Sequence, residues 1–144
     1  MEAHYYNVHI SWKNTRLGEM FSPELSQSIE VATPPPFPKG IEGIWSPEHL
    51  FTAAVSSCLM TTFLAIAENS KLEFESFECQ SKGKLEQVEG RYLMTEVILE
   101  PIVTISQEAD REKAEKVLQK SESNCLISNS VKAKITIMSK IVVS

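Results

Sequence analysis

The chain has 144 residues, 42% of them hydrophobic and 23% charged, with a formal net charge of −5. That composition fits a single globular domain over residues 1–144 and excludes a disordered or fibrous chain. Its 14 Lys and Arg residues are spread out with no basic block, so the electrostatic footprint of a nucleic-acid partner is missing.

Met1 is followed by Glu2 and a mixed polar stretch, not by a basic region leading into an apolar run, so a cytoplasmic protein without a secretory signal is expected. The three cysteines then sit in a reducing compartment, where a disulfide framework is a poor reading. Core packing, metal ligation and redox chemistry stay open for them.

Residues 4–12 alternate loosely, residues 27–31 are short and β-prone, and residues 14–18 between them read as a turn that starts a hairpin. The segment 32–43 holds Pro34, Pro35, Pro36, Pro38 and two glycines, a composition that no helix interior or central strand accepts. It is expected to be a surface loop. Ser46-Pro47-Glu48 then gives a helix start, with a hydroxyl cap, a proline whose missing N–H costs nothing at the first position, and an acid in the first turn. The helix is expected to run to about Asn69.

No charged residue occurs from 50 to 67, eighteen positions, the lower bound for a membrane span. Five of them are Ser or Thr and β-prone runs follow, so a core helix is the better reading and no membrane partner is expected. A helix apolar on every side is buried on every side. A chain of this size achieves that by packing it against a sheet and a second copy of itself.

Residues 72–87 and 91–105 form two β-prone runs joined around Val88-Glu89-Gly90, a hairpin. Ser106 caps a second helix through about Glu122, with Ala109, Ala114, Val117 and Leu118 as a one-sided apolar stripe. Residues 125–131 read as a short turn or single helical turn, and 133–143 as a last strand closing the sheet.

Cys58 lies ten residues after Glu48 inside the apolar helix, sharing a face with Phe51, Ala54, Val55, Thr61, Thr62 and Ala65. Taken alone it reads as an inert core residue, because burial raises a thiol pKa and the thiolate is the nucleophile. The helix dipole fades within the first turn, so a cation from elsewhere is expected if the thiol is to react.

The string from Trp45 to Cys58, WSPEHLFTAAVSSC, resembles the (N/S)PE-x-L-(F/L)-x-A-A-x-x-(A/S)-C helix of the OsmC/Ohr proteins, osmotically induced protein C and organic hydroperoxide resistance protein. Cys125-Leu126-Ile127-Ser128-Asn129-Ser130 is similar to that family's second-cysteine motif, C-P-(V/I/Y)-S-(N/K)-(A/S). The two motifs recur in the right order, 67 residues apart, with a hairpin and an amphipathic helix between them.

The resemblance implies an α+β OsmC-like fold, an antiparallel sheet packed on two helices, working as an intertwined homodimer around a buried central helix. It implies a thiol-dependent peroxidase that reduces organic hydroperoxides, with Cys58 peroxidatic and Cys125 resolving. The family's arginine corresponds to Arg16 in Thr15-Arg16-Leu17-Gly18, with Lys13 as the fallback, and Glu48 corresponds to the glutamate that pairs with it. No bound cofactor or metal is implied. The reductant would be an external dithiol, a lipoyl group in the better-known members.

An arginine near Cys58 would offset burial while its fork holds a carboxylate. Ten helical residues rise ~15 Å and turn Glu48 about 80° away from Cys58, so the Arg16 or Glu48 that completes each site is expected from the partner subunit. Leu126 stands where the family usually has proline, which leaves that turn less rigid. Cys79 matches no motif and reads as structural.

Two rival readings remain. Cys58, Cys125, His49 and Glu48 could bind a metal, although no Cys or His pair stands at ligand spacing. Alternatively, a non-catalytic relative could bind a small apolar ligand in the dimer groove. No phosphate-binding loop, dinucleotide fingerprint or serine-nucleophile elbow is present.

Overall fold

The structure is a computed structural model that describes residues 1–144. It is an α+β fold of seven strands and two helices, whose contacts group into two compact units, Met1–Leu50 and Phe51–Ser144.

The first unit is built on a three-stranded antiparallel sheet of β1 (His9–Asn14), β2 (Leu17–Phe21) and β3 (Ile29–Ala32), in that order. The expected hairpin turn is Thr15-Arg16, where Thr15 takes a positive φ of 43°. The Pro-rich segment is a loop, as expected. It folds back through Phe37 N–H to Pro34 O (3.1 Å) and Gly40 N–H to Phe37 O (3.0 Å). A Cβ at Gly40 would overlap the Pro34 carbonyl, so the loop closes there only on a glycine.

The loop's ends are tied by Ala32 N–H to Trp45 O at 2.8 Å and Ile41 N–H to Thr33 O at 2.9 Å. This delivers Ser46, fully buried, to the start of α1 (Pro47–Asn69). Its hydroxyl accepts the His49 N–H at 3.1 Å, the cap the sequence predicts.

The second unit takes in α1 from Phe51 onward and a mixed sheet. β4 (Ser76–Val88) and β5 (Arg91–Ile105) form the expected antiparallel hairpin. Glu89 and Gly90 both have positive φ, 50° and 79°, the two-residue turn whose twist matches the strands. Along β5, Val97, Leu99, Pro101, Val103 and Ile105 are buried in strict alternation, the period of a strand with one face on the core.

After β5, a 3₁₀ turn at Glu108–Asp110 precedes α2 (Arg111–Asn124). The helix proper thus begins later than the Ser106 cap predicts, and it runs two residues further. The expected single last strand is two, β6 (Lys134–Ile137) and β7 (Lys140–Val143), both parallel to β5 and placed one after the other along it. Parallel neighbours need a crossover, and α2 supplies it.

Two apolar clusters fill this unit. One joins Phe63 and Ala67 of α1 to Val103, Ile105, Val117 and Leu118, with the Phe63 ring against Phe74 and Phe77 at centroid distances of 5.2 and 4.9 Å. Burying a ring such as Phe63 contributes about 1.5–3 kcal/mol. The other joins Val55, Cys58 and Leu59 to Val97, Leu99 and Cys125.

By length and composition α1 could cross a membrane, but it buries one stripe, Val55, Cys58, Leu59, Phe63 and Ala67, in this core. Its other face is exposed in the single chain, with Ala54, Ser57, Met60, Thr61, Leu64 and Ala65 uncovered; this is the face that the sequence analysis assigns to a second copy.

Candidate active site

Cys58 sits midway along α1 on its buried stripe and is 8% exposed. Cys125, 1% exposed, is the residue at which α2 ends: its φ of −69° and ψ of 106° leave the helix. Both thiols are free and lie in one apolar cluster. The structure therefore brings together the two cysteines that the sequence places 67 positions apart.

Their surroundings differ. Burial pushes the Cys58 thiol up. The Ile127 N–H, the Cys125 thiol, the Thr62 hydroxyl and the Leu126 N–H outweigh that together, and Cys58 ionises below the ordinary thiol value. Thr62 Oγ1 is 3.9 Å from its sulfur. All the groups that lower the Cys58 pKa are neutral donors.

Cys125 moves the other way. Burial raises its pKa and the neighbouring Cys58 raises it further, against the Ser128 hydroxyl and N–H. The Ser128 hydroxyl donates to its sulfur at 3.2 Å, and the thiol lies 4.0 Å from Val55 O. The two adjacent thiols thus have their ionisation pulled in opposite directions.

Arg16 and Glu48 both belong to the first unit. Arg16 is exposed on the β1–β2 turn and is the one charged side chain lining a cavity of about 500 Å³, otherwise formed by groups such as Ile10, Trp12, Met20, Val31 and Leu50. Glu48 is half-buried in the first turn of α1, where a carboxylate suits the helix dipole. Lys13, the alternative cation, is engaged by Glu30 at 3.2 Å.

His49 Nδ1 lies 2.6 Å from Ser46 Oγ. No three His, Cys, Asp or Glu side chains come together as a metal-ligand set. Cys79 is half-buried on β4 against the cluster that holds Cys58 and Cys125, with its sulfur 3.6 Å from Ser81 Oγ.

Sequence reasoning missed the contribution of the turn after Cys125. Ser128 lies within the second motif, yet its contact with a sulfur depends on the turn's shape. The amides of Leu126 and Ile127 carry no side-chain signal at all. The one available pointer was that residue 126 is not a proline and so keeps its N–H.

Comparison with known proteins places this geometry in context. The family model described as OsmC-like protein matches residues 40–140. An uncharacterized protein of Bacillus subtilis, YmaD, is 26% identical over 143 residues, covering 94% of this chain and 91% of that protein. An OsmC-like protein of unknown function from Vibrio cholerae superposes with a TM-score of 0.82 at 25% identity, over 95% of this chain and 99% of the other. An organic hydroperoxide resistance protein from Elizabethkingia anophelis gives a TM-score of 0.75 at 20% identity, over 99% of each chain, a likeness of fold.

Proposed function

From its place in the OsmC-like family, to which the chain belongs, we propose that the protein is a two-cysteine peroxidase that reduces organic hydroperoxides. The observation that carries this reading is the contact between Cys58 and Cys125, with Cys58 shifted toward thiolate and Cys125 away from it. A hydroperoxide-related role also agrees with the names of fold neighbours such as the Elizabethkingia anophelis protein.

The Cys58 thiolate attacks the distal oxygen of the peroxide, forming an S–O bond as the O–O bond breaks; the leaving alkoxide takes a proton and departs as alcohol. Cys125 then attacks the sulfenic sulfur. An S–S bond forms, and the hydroxide leaves with a proton as water. An external dithiol of the lipoyl type supplies the two electrons that return both thiols.

Arg16 adds positive charge at the thiolate and Glu48 fixes the guanidinium through its fork. The protein works in the cytoplasm as a homodimer whose partner subunit contributes Arg16 or Glu48 to each site. Support for the dimer comes from the uncovered apolar side chains: Met60 and Leu64 on α1, and Ile10 and Trp12 on β1. The apolar cluster around Cys58 favours organic over inorganic peroxide.

The test is intact mass and free-thiol count after a stoichiometric dose of cumene hydroperoxide, for wild type, Cys58→Ser and Cys125→Ser. The expected result is loss of two hydrogens in wild type, a persistent oxidised Cys58 in Cys125→Ser, and no fast reaction in Cys58→Ser. Unchanged thiols in all three would replace this reading with that of a non-catalytic relative binding a small apolar ligand.

A further inference from the structure

A cavity of about 500 Å³ lies within the second unit, between the C-terminal half of α1 and the end of α2. Thr61, Thr62, Asn69, Ser70, Lys120 and Asn124 supply its polar lining. Two of these residues connect it to the thiols. Thr62 Oγ1 is 3.9 Å from the sulfur of Cys58, and Asn124, whose side-chain amide donates to Lys120 O at 2.8 Å, is the residue immediately before Cys125. The cavity therefore opens beside the pair of cysteines, with the hydroxyl that touches Cys58 in its wall.

Lys120 is the one charged side chain in that lining and takes part in none of the ion pairs of the chain. Its counterpart one turn earlier on α2, Lys116, stands outside the cavity and is held by Glu112 at 3.4 Å. The rest of the polar lining consists of hydroxyls and amides, with no carboxylate among them. A chain of net charge −5 repels anions as a whole, so an anion approaching Cys58 needs a local cation, and this wall carries one.

We propose that this cavity is an approach to the Cys58 sulfur for small hydroperoxides that carry a carboxylate, and that Lys120 is the residue that selects them. The ammonium draws the carboxylate into the cavity, the hydroxyls of Thr61 and Ser70 offer it hydrogen bonds, and the peroxide end is left toward Thr62 and the sulfur. A few placed polar groups are what orient a ligand in such a cavity. Thr61, together with Ala65 in the same wall, belongs to the α1 face assigned to a second copy, so a partner subunit would form the cavity's outer side and leave Lys120 and Asn124 in place. The inference deepens the peroxidase reading and rests on it for the identity of the reacting group.

The test compares alkylation of Cys58 by iodoacetate, an anion, and by neutral iodoacetamide in the full chain, followed by peptide mass. Both reagents attack the thiolate, so the ratio of their rates at one pH is independent of how far Cys58 is ionised. Lys120→Gln is expected to lower the iodoacetate-to-iodoacetamide ratio about threefold and Lys120→Glu about tenfold at low ionic strength, the scale of one and of two unit charges acting through water over several ångströms. High salt is expected to bring the three proteins together. Lys120 is exposed, so these variants keep the core intact. Lys116→Gln removes the same charge from the same helix and is expected to leave the ratio where wild type has it. A ratio that Lys120→Gln leaves unchanged, or that Lys116→Gln lowers equally, overturns the proposal.

Oxidation of Cys58 by cumene hydroperoxide and by its ring-carboxylated form is measured alongside. Lys120→Gln is expected to slow the carboxylated peroxide about threefold and to leave the neutral one unchanged. A shifted alkylation ratio without reactivity toward either peroxide overturns the peroxidase reading and supports the anion-selective approach; oxidation by both peroxides with neither ratio shifted overturns the approach alone.

Discussion

The Ser128 hydroxyl donates a hydrogen bond of 3.2 Å to the sulfur of Cys125, three positions before it in the chain. That bond opposes the burial that raises the Cys125 pKa, so it sets how readily the proposed resolving thiol ionises. Removing it in Ser128→Ala raises that pKa by about one unit and cuts the thiolate fraction about tenfold at neutral pH. A more basic thiolate is about threefold more nucleophilic on a Brønsted slope near 0.45, so resolution slows about threefold net. Trapping the Cys58 sulfenic acid with a dimedone-type reagent after a peroxide pulse measures this. A trapped fraction equal to that of wild type would rule the bond out as a tuning contact.

The opposite shifts of the two thiols order their titration. As pH rises, Cys58 is alkylated first, below the range of a free cysteine, and Cys125 last. Stability follows with opposite signs. The lowered Cys58 value contributes stability that is fully present above the ordinary thiol pKa of ~8.5 and is lost as pH falls through the native value. The raised Cys125 value contributes stability that is present below that range and is lost as pH rises through its native value. Urea midpoints of wild type therefore decline as pH rises above the ordinary thiol range, and Cys125→Ser flattens that decline. Parallel profiles for the two proteins would contradict the assignment.

Gly83 on β4 lies beneath α1. A Cβ there would overlap Thr52 Oγ1 and stand 2.7 Å from Met94 Cε. The methionine end can swing away, whereas the threonine is β-branched and stiff in a helix. Gly83→Ala is expected to destabilise the fold by about 1–3 kcal/mol, the usual range for overpacking. Thr52→Ala in the same chain recovers part of that loss. Urea unfolding of the two single variants and the double variant gives the coupling, and strict additivity would mean that the overlap is relieved in some other way.

The parts of the fold most legible from sequence are those with local chemical signatures. The Ser46-Pro47-Glu48 cap put the start of α1 where it is found, and Glu89-Gly90 marked the β4–β5 turn. The parallel arrangement of β6 and β7 was not legible, because alternation in 133–143 specifies a strand but not its direction, and the break at Met138-Ser139 carries no Gly or Pro. At the candidate site, the motifs pointed to Cys58 and Cys125. The amides beside Cys58 were invisible, since a main-chain N–H is the same in every residue but proline. Thr62 was placed on the right helix face by spacing alone.

The outer face of α1 is the one that the sequence reading assigns to a second copy of the chain. An eighteen-residue run without charge describes a helix meant to be covered all round, yet Met60 and Leu64 are 38% and 41% exposed in one chain. Leucine and methionine side chains each contribute about 1.5–3 kcal/mol when fully buried, so a second copy that covers this face gains substantially from the contact. Leu64→Glu puts a charge into that contact, where ionised carboxylates are costly to desolvate. The expected outcome is a shift from dimer to monomer in light scattering, with far-UV circular dichroism retained because Leu64 lies outside both core clusters. If each proposed site also needs the partner's Arg16 or Glu48, peroxide reactivity at Cys58 falls with the dimer fraction as protein is diluted. A dimer of undiminished affinity in Leu64→Glu would exclude this face as the dimer contact, and a monomer of full reactivity would place every group the reaction needs in one chain.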